Sequence, residues 1–171
     1  MNIHYRILLP HESRNYRIIR LESLEKFPES FGANYQESLK IEKFRLESDI
    51  ESQAQDRFAM GAFADDTLIG ICAFVKDENN TGNIYQMYVR ESFQGKNIGL
   101  GLIQAVIDEA HKRFDGITIF LGVTDKNEKA YNLYRKIGFV EVTDNAEKKE
   151  TGCNTQLFLH TADHMASKKT H

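Results

Sequence analysis

The chain has 171 residues, enough to bury a sizeable core in one domain, and 41% hydrophobic with 27% charged residues is the balance of a water-soluble globular protein. A formal net charge of −3 excludes general nucleic-acid or anionic-membrane binding, which would need a strong basic excess. The two cysteines, Cys72 and Cys153, show no CxxC or CxxH spacing, which excludes a zinc knuckle and argues against a disulfide scaffold.

Ile3–Leu8 reads as a short strand that ends at Pro10. Ser13–Phe27 reads as a helix with Tyr16, Ile19, Leu24 and Phe27 facing inward, stopped by Pro28, which cannot continue it. A loop over Glu29–Ala33 leads to a polar helix across Tyr35–Ser52, and the mixed charges of Glu37–Glu51 predict a solvated surface. Arg57–Ala64 and Leu68–Lys76 are strands about an Asp65-Asp66 hairpin turn. A second turn, Glu78–Gly82, precedes a strand at Asn83–Arg90. Ile98, Leu102, Ile103, Val106, Ile107, Ala110 and Phe114 share one face of a helix that Asp115-Gly116 ends. Ile117–Val123 is a buried strand. Asp125 and Glu128 form the pattern of a capping box for the next helix, whose inner stripe is Ala130, Leu133, Tyr134 and Ile137 and whose terminator is Gly138. Phe139–Thr143 and Cys153–Leu159 are the last two strands, and a polar tail follows. The longest apolar runs, Ile69–Val75 and Ile117–Val123, are far short of a membrane span, and MNIHYRILLP lacks the layout of a secretion signal. The expected compartment is the cytoplasm. The order β-α-α-β-β-β-α-β-α-β-β predicts an α/β protein of the α+β kind, with a βαβ unit inside a mostly antiparallel sheet.

The segment that carries chemistry is Ile84–Arg90 followed by Gln94-Gly95-Lys96-Asn97-Ile98-Gly99-Leu100-Gly101: strand, short connection, glycine-containing loop, amphipathic helix. The first backbone N–H groups of a helix lack intrahelical partners and, with the helix dipole, favour an anion. Small residues admit a phosphate to the backbone, Asn97 tolerates a left-handed conformation, and Lys96 adds positive charge. A diphosphate is the natural ligand. Two other readings compete. A helix start with small residues for packing explains the glycines equally well. The spacing Gly95-x-x-x-Gly99-x-Gly101 also fits short-chain dehydrogenases, but too little chain follows and no Tyr-x-x-x-Lys pair exists.

A second motif, Asn127-x-x-Ala130-x-x-Leu133-Tyr134-Arg135-Lys136-Ile137-Gly138-Phe139, follows the next strand. Together the two motifs resemble the Gcn5-related N-acetyltransferase (GNAT) superfamily. That family's phosphate loop, [Gln/Arg]-x-x-Gly-x-[Gly/Ala], is matched by Gln94-x-x-Asn97-x-Gly99 with one departure, Asn97 in place of glycine. The later stretch is matched without departure. The run from Tyr16 to Leu24 with Phe27-Pro28-Glu29-Ser30-Phe31-Gly32 looks like bacterial small-molecule members. The specific match covers about 84–139. The resemblance implies a central sheet of about seven strands with splayed central strands and about four helices, in one domain over 1–160 with a tail over 161–171.

What the resemblance implies chemically is an N-acetyltransferase that moves acetyl from acetyl-CoA, its cosubstrate, to a primary amine by direct attack, without a metal. The backbone of Met87, Tyr88 and Val89 would hold the pantetheine arm, and an N–H there would polarise the thioester carbonyl. Gln94, Gly95, Lys96, Asn97, Ile98, Gly99 and Leu100 would hold the pyrophosphate, and Asn127 would bond the pantetheine or cap its helix. Tyr134 would protonate the departing thiolate, since a phenol stays protonated at neutral pH while a thiol titrates near ~8.5; a core aromatic is the competing account. No carboxylate stands in Asn83-Ile84-Tyr85-Gln86, where some members carry the base, so Glu29 or a water relay is left for that role. Glu29, Phe31 and Tyr85 are candidate acceptor-pocket residues, with a core position competing for both aromatics. Expected partners are a small-molecule or protein amine, not nucleic acid or membrane, in a monomer or homodimer. A non-catalytic acetyl-CoA-binding regulatory module is the alternative function. His160 and His164 have an i, i+4 spacing in a polar tail, where a metal site is not expected, and Cys72 reads as a structural thiol.

Overall fold

The computed structural model describes residues 2–28, 34–124, 127–142 and 155–162. Seven strands form one sheet in the order β1-β2-β3-β4-β5-β7-β6. They are β1 (Ile3–Ile7), β2 (Arg57–Ala64), β3 (Thr67–Lys76), β4 (Thr81–Val89), β5 (Thr118–Val123), β6 (Val140–Glu141) and β7 (Thr155–His160). All neighbours are antiparallel except β4 and β5. The helices are α1 (Ser13–Lys26), α2 (Tyr35–Leu39), α3 (Arg45–Ser52), α4 (Ile98–Arg113) and α5 (Glu128–Ile137). No helix among the described residues is long and apolar enough to cross a membrane.

The strands β2 and β3 read as near-continuous apolar runs because they are covered on both faces. Along β3, Ile69, Cys72 and Phe74 join the cluster under α4, while Leu68, Ile71 and Ala73 join the cluster under α1 and α3. Leu102, Ile103, Val106 and Ile107 of α4 are fully buried there, each worth roughly 1.5–3 kcal/mol. Tyr16 and Ile19 of α1 with Leu46 and Ile50 of α3 fill the other side.

Three sequence expectations are corrected. The helix expected over Tyr35–Ser52 is two helices, because Phe44 is extended (ψ 148°) and its N–H donates to the Glu47 carboxylate at 3.0 Å, starting a new helix. Glu47 is also not solvated: it is 4% exposed and paired with Arg17 at 2.8 Å. The last helix is capped by Asn127 rather than Asp125, with the Asn127 side chain accepting the Ala130 N–H at 3.2 Å. Residues 125 and 126 lie outside the described residues, as do Thr143, Cys153, His164 and the polar tail beyond 162.

Candidate active site

The parallel pair β4–β5 is zipped only at one end. Thr81, Gly82 and Asn83 pair with Thr118, Ile119 and Phe120, and no pairing continues beyond them. The divergence has a local cause. On its other edge β4 pairs Tyr85 with Ala73 and Tyr88 with Ile71, so two residues, Gln86 and Met87, face the single residue Cys72. Gln86 has φ 58°, the left-handed region that a non-glycine residue enters only with local support. That support comes from α1, where the buried Tyr16 hydroxyl donates to the Gln86 side-chain oxygen.

The opening continues as a groove of about 1100 Å³. One wall is Met87, Tyr88 and Val89 of β4, and its head is Gln94, Gly95, Asn97, Ile98, Gly99 and Leu100. The opposite wall is Asn127, Lys129, Ala130, Asn132, Leu133 and Lys136, all from the start and one face of α5. The loop at the head is tied to β4 by the Gln94 amide, which donates to the Val89 carbonyl at 2.7 Å. Asn97 has φ 62°, so it adopts the left-handed backbone that glycine otherwise supplies. Its side chain does not cap α4, and the first intrahelical bond runs from the Gly101 N–H to the Asn97 carbonyl at 3.2 Å. The N–H groups of Ile98, Gly99 and Leu100 are therefore the free donors expected at an uncapped helix start. They lie where the groove is lined by those same residues, an arrangement suited to an anion.

The glycines separate by role. A Cβ built on Gly99 would lie 3.7 Å from Met87 and Leu133, ordinary contact on the groove wall. A Cβ on Gly101 would lie 2.1 Å from the Tyr5 hydroxyl, so Gly101 is small because β1 packs there.

Of the residues the sequence singled out, Met87, Tyr88, Val89, Gln94, Gly95, Asn97, Ile98, Gly99, Leu100 and Asn127 come together on this groove. Lys96 does not line it; its ammonium stands 5.5 Å over the Phe93 ring. Tyr134 also does not line it. It is 7% exposed, edge-on to Phe139 at 6.0 Å, and burial, then the neighbouring Cys72 thiol, push its hydroxyl pKa up. Tyr85 is half exposed, which removes the core account of that residue. Glu29 and Phe31 fall in 29–33, outside the described residues. Sequence reasoning missed Lys129, Asn132 and Lys136. Their i, i+3, i+7 spacing on α5 would have placed them on one face. It also missed Phe27, expected inward and found on the groove wall. Among the described residues no three His, Cys, Asp or Glu side chains converge as metal ligands.

A family model described as the Acetyltransferase (GNAT) family matches residues 20–139. The uncharacterized N-acetyltransferase YvbK of Bacillus subtilis (strain 168) is 33% identical over 78 residues, 46% of this chain and 50% of that protein, so the chain matches about half the length of this curated relative. The PaiA N-acetyltransferase of Thermoplasma acidophilum, solved in complex with coenzyme A, superposes with a TM-score of 0.73 at 25% identity, covering 94% of this chain and 99% of that one. Salmonella typhimurium yncA, solved with its cofactor acetyl-CoA, shares the fold with a TM-score of 0.70 at 16% identity over 94% of this chain and 95% of that one. The seven-stranded sheet with its half-zipped central pair, the groove, and the matched residues agree: this chain belongs to the GNAT family of acetyltransferases.

Proposed function

We propose that the protein moves an acetyl group from acetyl-CoA to a primary amine by direct attack. One observation carries the reading: a groove opens between two strands that part after Asn83 and Phe120, and it ends on the uncapped start of α4. A thioester on a long arm joined to a diphosphate matches those two ends. The free N–H groups of α4 take the pyrophosphate, with Gln94 holding the loop against β4. The pantetheine arm lies along Met87, Tyr88 and Val89, the wall that β4 gives the groove where its pairing with β5 has ended. A donor from that edge steadies the carbonyl oxygen as it gains negative charge. Asn127 keeps its cap and presents the rest of its amide to the arm. Lys129 and Lys136 bring positive charge to the same ligand's phosphates.

Tyr134 serves as the general acid for the thiolate. It sits beside Cys72, the β3 residue that faces the bulge, which is the level at which a thioester laid along Met87–Val89 would be cleaved. Burial raises its pKa, so the phenol carries its proton at neutral pH. In the reaction the neutral amine nitrogen attacks the carbonyl carbon, the N–C bond forms, the C–S bond breaks, the sulfur takes the Tyr134 proton, and the proton lost by the nitrogen goes to solvent, from which Tyr134 is reprotonated.

Calorimetry with acetyl-CoA and a thiol-release assay over polyamines, aminoglycosides, amino-acid-like amines and lysine peptides test this. Binding with amine-dependent thiol release supports it. No binding overturns the coenzyme reading; binding without turnover on any amine replaces the enzyme with an acetyl-CoA-responsive regulatory module.

A further inference from the structure

The reaction proposed above needs a group that takes a proton from the attacking amine, and β4 carries no carboxylate over Asn83–Gln86. The geometry points to Glu22 of α1 as the proton acceptor and to the Tyr88 hydroxyl as the catalytic group through which it acts. This inference rests on the acetyl-transfer reading.

Tyr88 is the one wall residue of β4 with a hydroxyl, and that hydroxyl donates to the Glu22 carboxylate at 2.8 Å. The ring is 4% exposed and packs against Phe27, 5.8 Å between centroids, and Phe27 lines the same groove. Both aromatics line the groove, while the carboxylate that accepts from the hydroxyl keeps 24% of its surface in contact with solvent. The charged groups that face the pair are Arg90, whose Nε is 3.4 Å from Glu22, and Glu91 in the turn after β4. Burial, then the hydrogen bond and charge of Glu22 and the charge of Glu91, raise the Tyr88 pKa, and the charge of Arg90 opposes them. The phenol therefore does not hold a negative charge. It passes a proton on: an N–H proton of the bound ammonium form of the amine goes to the Tyr88 oxygen as the Tyr88 proton goes to the Glu22 carboxylate, and Glu22 then releases it to water. The nitrogen lone pair freed in this way forms the N–C bond.

Wild type, Glu22→Gln, Tyr88→Phe and the double variant are compared on the amine of the panel that wild type acetylates fastest, with kcat/KM followed over the neutral to alkaline range and acetyl-CoA affinity by calorimetry. Each single variant is expected to lose about 10²–10³-fold in kcat/KM near neutral pH, the span of a lost general base. The double variant is expected to lose no more than the singles, because the two groups act as one unit. In Glu22→Gln only amine that is already neutral reacts, so kcat/KM climbs roughly tenfold per pH unit toward the amine's own pKa, while wild type climbs less steeply. Acetyl-CoA affinity stays within about threefold in all four. Coincident pH profiles for wild type and Glu22→Gln, losses that multiply in the double variant, or a fall in acetyl-CoA affinity as large as the rate loss would each overturn the relay. A wild type that binds acetyl-CoA and acetylates no amine overturns the enzyme reading itself, and the relay with it.

Discussion

Tyr16 and Gln86 are seventy residues apart in the chain and joined by a hydrogen bond, from the Tyr16 hydroxyl to the Gln86 side-chain oxygen. Tyr16 lies on α1 and is 1% exposed; Gln86 is the left-handed residue at the bulge that turns β4 away from β5. The width of the groove therefore depends on a contact that no groove residue makes. Removing the hydroxyl in Tyr16→Phe is expected to cost about 0.5–1.5 kcal/mol of stability and to free the bulge. If the bulge holds the coenzyme seam open, acetyl-CoA affinity falls by about threefold to tenfold as well, read by calorimetry. Unchanged affinity would show that the bulge stands without α1.

Tyr134→Phe keeps the ring that packs against Phe139 and removes only the hydroxyl. Turnover is expected to fall about 10²–10⁴-fold with little change in the KM for acetyl-CoA, since the proton is needed only as the C–S bond breaks. Steady-state kinetics with thiol detection checks this. Equal turnover would assign the thiolate's proton to another donor.

Gly99 and Gly101 are two residues apart and should fail differently. Gly99→Val leaves the fold intact, because its Cβ meets only ordinary contacts, but its branched carbons fill the head of the groove and acetyl-CoA binding is lost. Gly101→Ala drives the Tyr5 ring away and is expected to cost about 1–3 kcal/mol of stability without a specific effect on the coenzyme. Urea unfolding and calorimetry on both variants separate the two roles. Asn97→Gly is expected to keep both properties, since glycine adopts the same left-handed backbone.

Glu12 should set part of the acid sensitivity. Both its oxygens accept from Arg6, at 2.7 and 2.9 Å, and one also accepts the Leu9 N–H at 2.7 Å. Arg6 holds the carboxyl below its ordinary range, although burial pushes the other way. A depressed folded pKa stabilises above the unfolded value of about 4.3 and is lost as pH falls through the lower folded value. Glu12→Gln is expected to cost about 1–3 kcal/mol at neutral pH, and the gap to wild type should close below that acid window. Urea midpoints at several pH values measure it; a gap that stays constant with pH would remove Glu12 from the acid response.

Near-neighbour chemistry made most of the elements legible. The apolar period of Ile98–Phe114 produced α4, the run Arg57–Ala64 matched β2 end to end, and Asn97 was expected to tolerate the left-handed backbone it has. Those signals are local: helix period, strand run and backbone freedom are written in residues a few positions apart. The sequence misses the break at Phe44 and leaves the cap at Asn127 as one of two roles, because each turns on one side chain choosing a particular N–H.

The chain alone determined the type and order of its elements, save the split of Tyr35–Ser52 into two helices, and the two motifs that belong to one family, because these depend on contacts within a turn or a strand. Only the tertiary structure decided that β4 and β5 part after three pairs, that Gly101 serves β1 rather than the groove, and that Tyr16 and Glu22 of α1 reach Gln86 and Tyr88 of β4. Those facts rest on side chains dozens of residues apart meeting across a packed sheet, and no local pattern encodes which distant partner a buried polar group will find.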